Sequence, residues 1–170
     1  VVNKPKGYVC TSKDPHNRLK VIDLINTNIR LFTVGRLDRD TTGIILLTND
    51  GDISNKLTHP RYNKEKKYYV KTKGRIESQF LDKIKDGYKL EDGLKVKADI
   101  KLISHSGNIF EWDISLTEGK NREIKRIFHN FNSQVSLIHR YSFCGITLNN
   151  LKIGKYRKMP IKEIKNKLLK

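Results

Sequence analysis

An α+β fold built on a mainly antiparallel mixed sheet with flanking helices is the architecture this sequence predicts. Two observations point there. Leu94, Val96, Ala98, Ile100 and Leu102 alternate with polar residues, and Phe110, Trp112, Ile114 and Leu116 repeat the pattern, as strands with one buried face do. The helical patterns are short and scattered among strands, without the regular strand–helix–strand rhythm of a parallel sheet. A third observation bounds the size. With 170 residues, 36% of them apolar, the chain can bury one compact core or two small lobes sharing a sheet.

The elements follow in order. Val1 to Asn3 and Tyr8 to Cys10 read as short strands, parted by the turn-forming Lys4-Pro5-Lys6-Gly7. Lys20 to Ile25 carries a brief helical pattern, and Leu31 to Val34 reads as a strand. The apolar Ile44-Ile45-Leu46-Leu47 between turn residues is a buried strand. Asn49-Asp50-Gly51 supplies a turn or cap for a helix over Asp52 to Thr58, which must stop by Pro60. Glu65 to Lys73 places Tyr68, Val70 and Thr72 on one face of a strand. Ser78 is the expected cap of a helix over Gln79 to Asp86 that ends at Gly87. His105-Ser106-Gly107-Asn108 joins the two alternating tracts into a hairpin. Asn121 is the expected cap of a helix with Ile124, Ile127, Phe128 and Phe131 on its apolar face and Arg122, Glu123, Lys125 and Arg126 opposite. Val135 to Tyr141 and Phe143 to Thr147 read as returning strands, and Ile161 to Leu169 as a basic terminal helix.

Lysine and arginine number 35 against 18 acidic residues, a formal charge of +17. Such an excess favours a polyanionic partner, because each phosphate met by a cation releases counterions. A lysine-rich solvated surface is the plainer account of the same number. Cys10 and Cys144 make no disulfide framework and lack zinc-site spacing, which suits a reducing compartment. The longest aliphatic run is four residues, too short to span a bilayer. The chain opens on Val1-Val2 rather than Met, inside a strand pattern, and so reads as a fragment.

A segment packed with polar and charged residues, Gly35-Arg36-Leu37-Asp38-Arg39-Asp40-Thr41-Thr42-Gly43, runs immediately into the Ile44–Leu47 strand. Asp38 should therefore sit on a loop at the edge of an apolar sheet. A carboxylate there can act as a nucleophile or a general base, with Arg36, Arg39 and Lys125 as candidate counter-charges. The same pattern suits a structural aspartate that pairs with an arginine or caps the Thr41-Thr42-Gly43 turn.

Five ordered motifs resemble the catalytic domain of the ribosomal RNA pseudouridine synthase family, over Asn3 to about Pro160. They are Asn3-Lys4-Pro5-Lys6-Gly7; Gly35-Arg36-Leu37-Asp38 with Thr41-Thr42-Gly43 and Leu46-Leu47-Thr48-Asn49-Asp50-Gly51; Lys66, Tyr68 and Val70; Leu90-Glu91-Asp92-Gly93; and Glu118 through Arg126. The late motif and the leading Gly35 place the similarity with the single-site ribosomal branch. The resemblance implies a catalytic domain over residues 1–170 with a central RNA-binding cleft. In it Asp38 would be the catalytic aspartate, Tyr68 would stack on the target uracil, and Lys125 would supply the cation that pairs with the aspartate, in a slot that is often Arg. Arg36 would lie by the RNA, and Lys4, Lys6, Lys120, Arg122 and Arg126 would follow its backbone, which positions rather than specifies.

The implied reaction isomerises a uridine of ribosomal RNA, free or in a pre-ribosomal particle. The base leaves the sugar, turns and rejoins through carbon, after being flipped out of its stack. No metal and no organic cofactor is called for, and no membrane; the expected state is a monomer in the bacterial cytoplasm or, in a eukaryote, a plastid or mitochondrion. The resemblance also implies that an amino-terminal RNA-binding module precedes Val1 in the full protein. Two other readings fit the charge: a non-catalytic RNA binder, and a small-molecule hydrolase or nuclease, for which Asp38, Asp40 and Asp50 make a loose carboxylate set.

Overall fold

The computed structural model describes residues 1–11 and 14–168. They divide into two compact units, residues 1–64 with 140–170 and residues 65–139. In the first unit β1 (Val2–Lys4), β2 (Phe32–Val34) and β3 (Thr42–Thr48) are all antiparallel, β1 taking the Gly43–Ile45 part of β3 and β2 the Leu46–Thr48 part. Tyr8 to Cys10 forms no strand; Val9 alone bridges to Lys20, in parallel sense. The Lys20–Ile25 pattern closes as a 3-10 turn, Val21–Leu24, in which only Val21 is buried. Four residues cannot build a helical face, so one anchor side chain is all that segment offers.

Helix α1 (Gly51–Thr58) starts where Asp50 Oδ1 accepts from the backbone N–H of Asp52 and Ile53, at 2.9 and 3.0 Å. It stops at His59, whose extended backbone is what a following proline imposes. Leu57 meets Val34, Ile44, Leu46, Phe143 and Ile146 in the core of this unit.

The second unit opens with β4 (Lys66–Lys73), which puts Tyr68, Val70 and Thr72 on its buried face as the period predicts. Helix α2 (Ser78–Asp86) begins one residue early: Glu77 is its cap, without a side-chain bond, and Ser78 is already helical. Gly87, at φ +126°, ends it. The alternating tract from Leu94 to Leu102 is not one strand. Its start, β6 (Lys95–Val96), pairs with β5 (Tyr88–Lys89), Ala98 donates to the carbonyl of Ile84 in α2, and only then does β7 (Asp99–Ser106) begin. β7 pairs with β8 (Ile109–Leu116) through a bulge between Leu102 and Ser104, which leaves Leu102 and Ile103 about half exposed. The turn shrinks to Gly107-Asn108, since His105 and Ser106 are already paired. β8 in turn lies antiparallel to β4, with Tyr68 opposite Ile114.

Helix α3 (Glu123–Asn130) buries Ile124, Ile127 and Phe128. Its start differs from expectation: the cap is Arg122 in a left-handed conformation, φ +50°, not Asn121. Glu123, assigned by pattern to the charged face, is 3% exposed, with one oxygen accepting from the N–H of Lys120 at 2.9 Å. Phe131 lies past the helix end and packs on Phe80 and Tyr88, with ring centroids 4.9 and 5.7 Å away. β9 (Gln134–Phe143) is the first of the two returning strands expected, two residues longer at its end, so that Phe143 closes it instead of opening the second. Its Gln134–His139 part belongs to the second unit and its Arg140–Phe143 part to the first. A turn at Cys144-Gly145 leads back into β10 (Ile146–Thr147), and α4 (Ile161–Leu168) closes the described chain; Leu169 lies outside it.

Candidate active site

The Asp38 loop is built from its buried neighbours outward. Leu37 is 7% exposed and plugs the loop into the first unit; its N–H points at Cys10 Sγ, 3.4 Å away. Asp38, half-buried, and the exposed Arg39 and Asp40 then stand on the solvent side. The turn closes when Thr41 N–H donates to the Asp38 carbonyl at 3.1 Å, and Gly7 N–H holds the Arg39 carbonyl at 2.8 Å. Burial pushes the Cys10 thiol up from its ordinary range, so it packs as a neutral group.

Lys4 fastens the same loop from below. Its side chain is wholly buried, and Nζ donates to the carbonyls of Pro5, Arg39 and Thr41 at 3.0, 3.2 and 2.7 Å. This corrects the expectation that Lys4 follows the RNA backbone: a buried ammonium spent on three backbone carbonyls has no path to a phosphate. Burial lowers its pKa, against the opposing pull of Cys10, Asp40 and Asp38. Lys4→Met is therefore expected to destabilise the first unit by about 3 kcal/mol, because the carbonyls lose their shared donor. Urea denaturation checks this; an unchanged midpoint would show that the ammonium does not hold the loop.

Arg140 is a second buried cation of this unit, 2% exposed. Its Nε donates to the Ile44 carbonyl at 2.8 Å and its guanidinium lies 5.0 Å over the Phe143 ring, while Nη2 has no hydrogen-bond partner. Lys6 and Arg36 are exposed on the first unit. No sequence signal set Arg140 apart from the other cations, since nothing local tells a buried arginine from a solvated one.

In the second unit Tyr68 is 7% exposed on the core face of β4, and Lys125 is half-buried on α3. The basic residues near α3 fall into two kinds. Arg126 Nε is 2.7 Å from Asp92 Oδ2, and that guanidinium holds the Asp92 carboxyl below its usual range. Lys120 Nζ binds the Lys95 carbonyl at 2.6 Å and pairs with Glu118. A phosphate would have to compete with these partners. Arg122 is exposed at the helix cap. Glu123 is the residue pattern reasoning missed: burial pushes its carboxyl up, and Oε1 has no partner.

Among the described residues no three of His, Cys, Asp and Glu gather as a metal-binding group, and no helix is long and apolar enough to cross a membrane.

One family model, two relatives and one solved structure resemble this chain. The family model described as RNA pseudouridylate synthase matches residues 1–130. The ribosomal large subunit pseudouridine synthase B of Bacillus subtilis is 36% identical over 165 residues, covering 95% of this chain and 68% of that protein. The protein of the same name from Pseudomonas aeruginosa is 34% identical over 168 residues, covering 96% of this chain but 44% of its own length. A crystal structure of a pseudouridylate synthase superposes with a TM-score of 0.84 at 30% identity, covering 98% of this chain and 71% of the other. The chain thus spans between about half and two thirds of the length of these relatives.

Proposed function

The chain belongs to the RNA pseudouridylate synthase family, and from that premise we propose that it converts a uridine of ribosomal RNA to pseudouridine. The observation that carries the reading is Asp38 itself: a single carboxylate of the family's central motif, presented on the solvent side of a loop whose backbone is pinned by Leu37, Lys4 and Gly7. A pinned loop suits a group that must meet a reacting sugar in one orientation. The glycosidic bond from N1 of uracil to C1′ of the ribose breaks, the freed base turns, and its C5 bonds to C1′; the proton leaving C5 is replaced at nitrogen. Asp38 serves this exchange as nucleophile or base. Tyr68 offers the aromatic contact for uracil and Lys125 the cation that the family's carboxylate uses.

The partner is ribosomal RNA or a pre-ribosomal particle, met as a monomer in the cytoplasm, with residues 1–170 acting as one catalytic domain and no cofactor. Tritium release from RNA carrying uridine labelled at carbon 5 tests the reaction, since that hydrogen must leave; RNA that keeps its label at saturating protein would leave only the RNA-binding reading. Lys6 and Arg122, both exposed, are the cations best placed to track the backbone. Replacing each with Ala should lower the slope of log affinity against log salt by about 0.7 to 0.9 for every phosphate left without its cation. Filter binding across a salt series reads it, and a slope equal to wild type would remove both residues from the interface.

A further inference from the structure

Beside Asp38, on the same unit, a bowl of about 540 Å³ opens between β2 and α1. That volume lies within the range of small-molecule pockets. Its floor is Phe32, Thr33 and Cys10, and Arg36 and Asn55 stand on its rim with exposed side chains. The Asp38 loop enters the lining through Gly35 and Arg36, so the bowl begins two residues before the carboxylate in the chain. Leu37 points inward between them, leaving Arg36 and Asp38 both on the solvent side.

The lining selects a ligand class by charge and by shape. Among the described residues that line the bowl none is acidic, so an anion meets no carboxylate in the lining and finds the Arg36 guanidinium. The Asn55 carboxamide carries two donors and an acceptor, a set that reads the edge of a nucleobase. The hydroxyls of Ser54 and Thr58 already donate to the carbonyls of Thr33 and Ser54, at 3.4 and 2.9 Å, which leaves their oxygens as acceptors. Two glycines belong to the lining. Gly35, at φ +73°, resists any side chain, and a Cβ on Gly51 would meet nothing within 4 Å.

We infer that this bowl holds one unpaired nucleotide adjoining the target uridine, with Arg36 on its phosphate and Asn55 on its base. The inference rests on the proposed reaction and adds a specificity subsite to it. Two variants test it with the full chain. Asn55→Ala removes the reading group, and Gly51→Leu adds a bulky side chain to the lining at a position with free space around its Cβ. With unmodified ribosomal RNA transcripts and tritium release, each should raise KM about tenfold, near the lower end of what one bound base contributes, while kcat stays close to wild type. In a second arm, amide NMR with the four nucleoside 5′-monophosphates should shift Gly35, Gly51 and the Asn55 carboxamide, and Gly51→Leu should abolish those shifts. An unchanged KM in both variants would overturn the inference. So would shifts reproduced in full by inorganic phosphate. Absence of tritium release by wild type would instead overturn the reaction, and the NMR arm would still report on the bowl.

Discussion

Asp38→Asn is expected to lower pseudouridine formation by roughly 10³-fold or more, the scale of removing a positioned acid–base or nucleophilic group, with RNA binding nearly intact. The asymmetry has a structural cause. The loop is fastened through backbone groups: Thr41 N–H on the Asp38 carbonyl, Lys4 on the carbonyls of Arg39 and Thr41, and Leu37 N–H on Cys10. All of these survive the substitution, so the loop should keep its backbone course. Affinity should hold or rise, because one negative charge is taken from a surface that faces a polyanion. Tritium release and filter binding on the same preparation separate the two effects. Normal turnover by the purified variant would remove Asp38 from the chemistry and leave an RNA binder.

Gly43→Ala should be the most damaging substitution in the first unit, by about 4 kcal/mol or more. Two penalties coincide there. The backbone stands at φ +108°, where side chains are strained, and an added Cβ would lie 2.2 Å from the Arg140 carbonyl oxygen and 2.7 Å from its nitrogen. Backbone cannot swing aside as a side-chain tip can, so β3 and the Arg140 segment of β9 would have to separate. Gly107 is the control: its φ of +54° suits asparagine, and a Cβ there meets nothing within 4 Å. Gly107→Asn should cost less than about 0.5 kcal/mol. Equal midpoints for the two variants in urea would show that the close approach at Gly43 is not under load.

Much of this arrangement was readable along the chain where neighbours in sequence decide the structure. The Asp50 cap, the proline stop, the alternation around Tyr68 and the apolar face of α3 each depend on residues a few positions apart, and each is found. What failed depends on distance. Lys4 looks like any turn lysine until its acceptors, 35 and 37 residues on, are in place. Glu123 sits among charges in a helical pattern, yet the loop from Lys120 folds over it. The tract from Leu94 to Leu102 keeps period two throughout, but the pairing partner changes from β5 to β8 partway, and periodicity carries no record of a partner. The candidate site divided in the same way. Motif order singled out Asp38, while charge alone could not separate the buried Lys4 and Arg140 or the paired Arg126 from cations open to an anion.

Trp112 is the chain's lone indole, 1% exposed in the second unit, with its ring nitrogen donating to Thr72 Oγ1 at 2.9 Å. Its ultraviolet emission will therefore follow the melting of residues 65–139 and be blind to the rest. A fluorescence trace that disagrees with circular dichroism would reveal halves that come apart at different denaturant concentrations. Coincident traces would mark a molecule that gives way all at once.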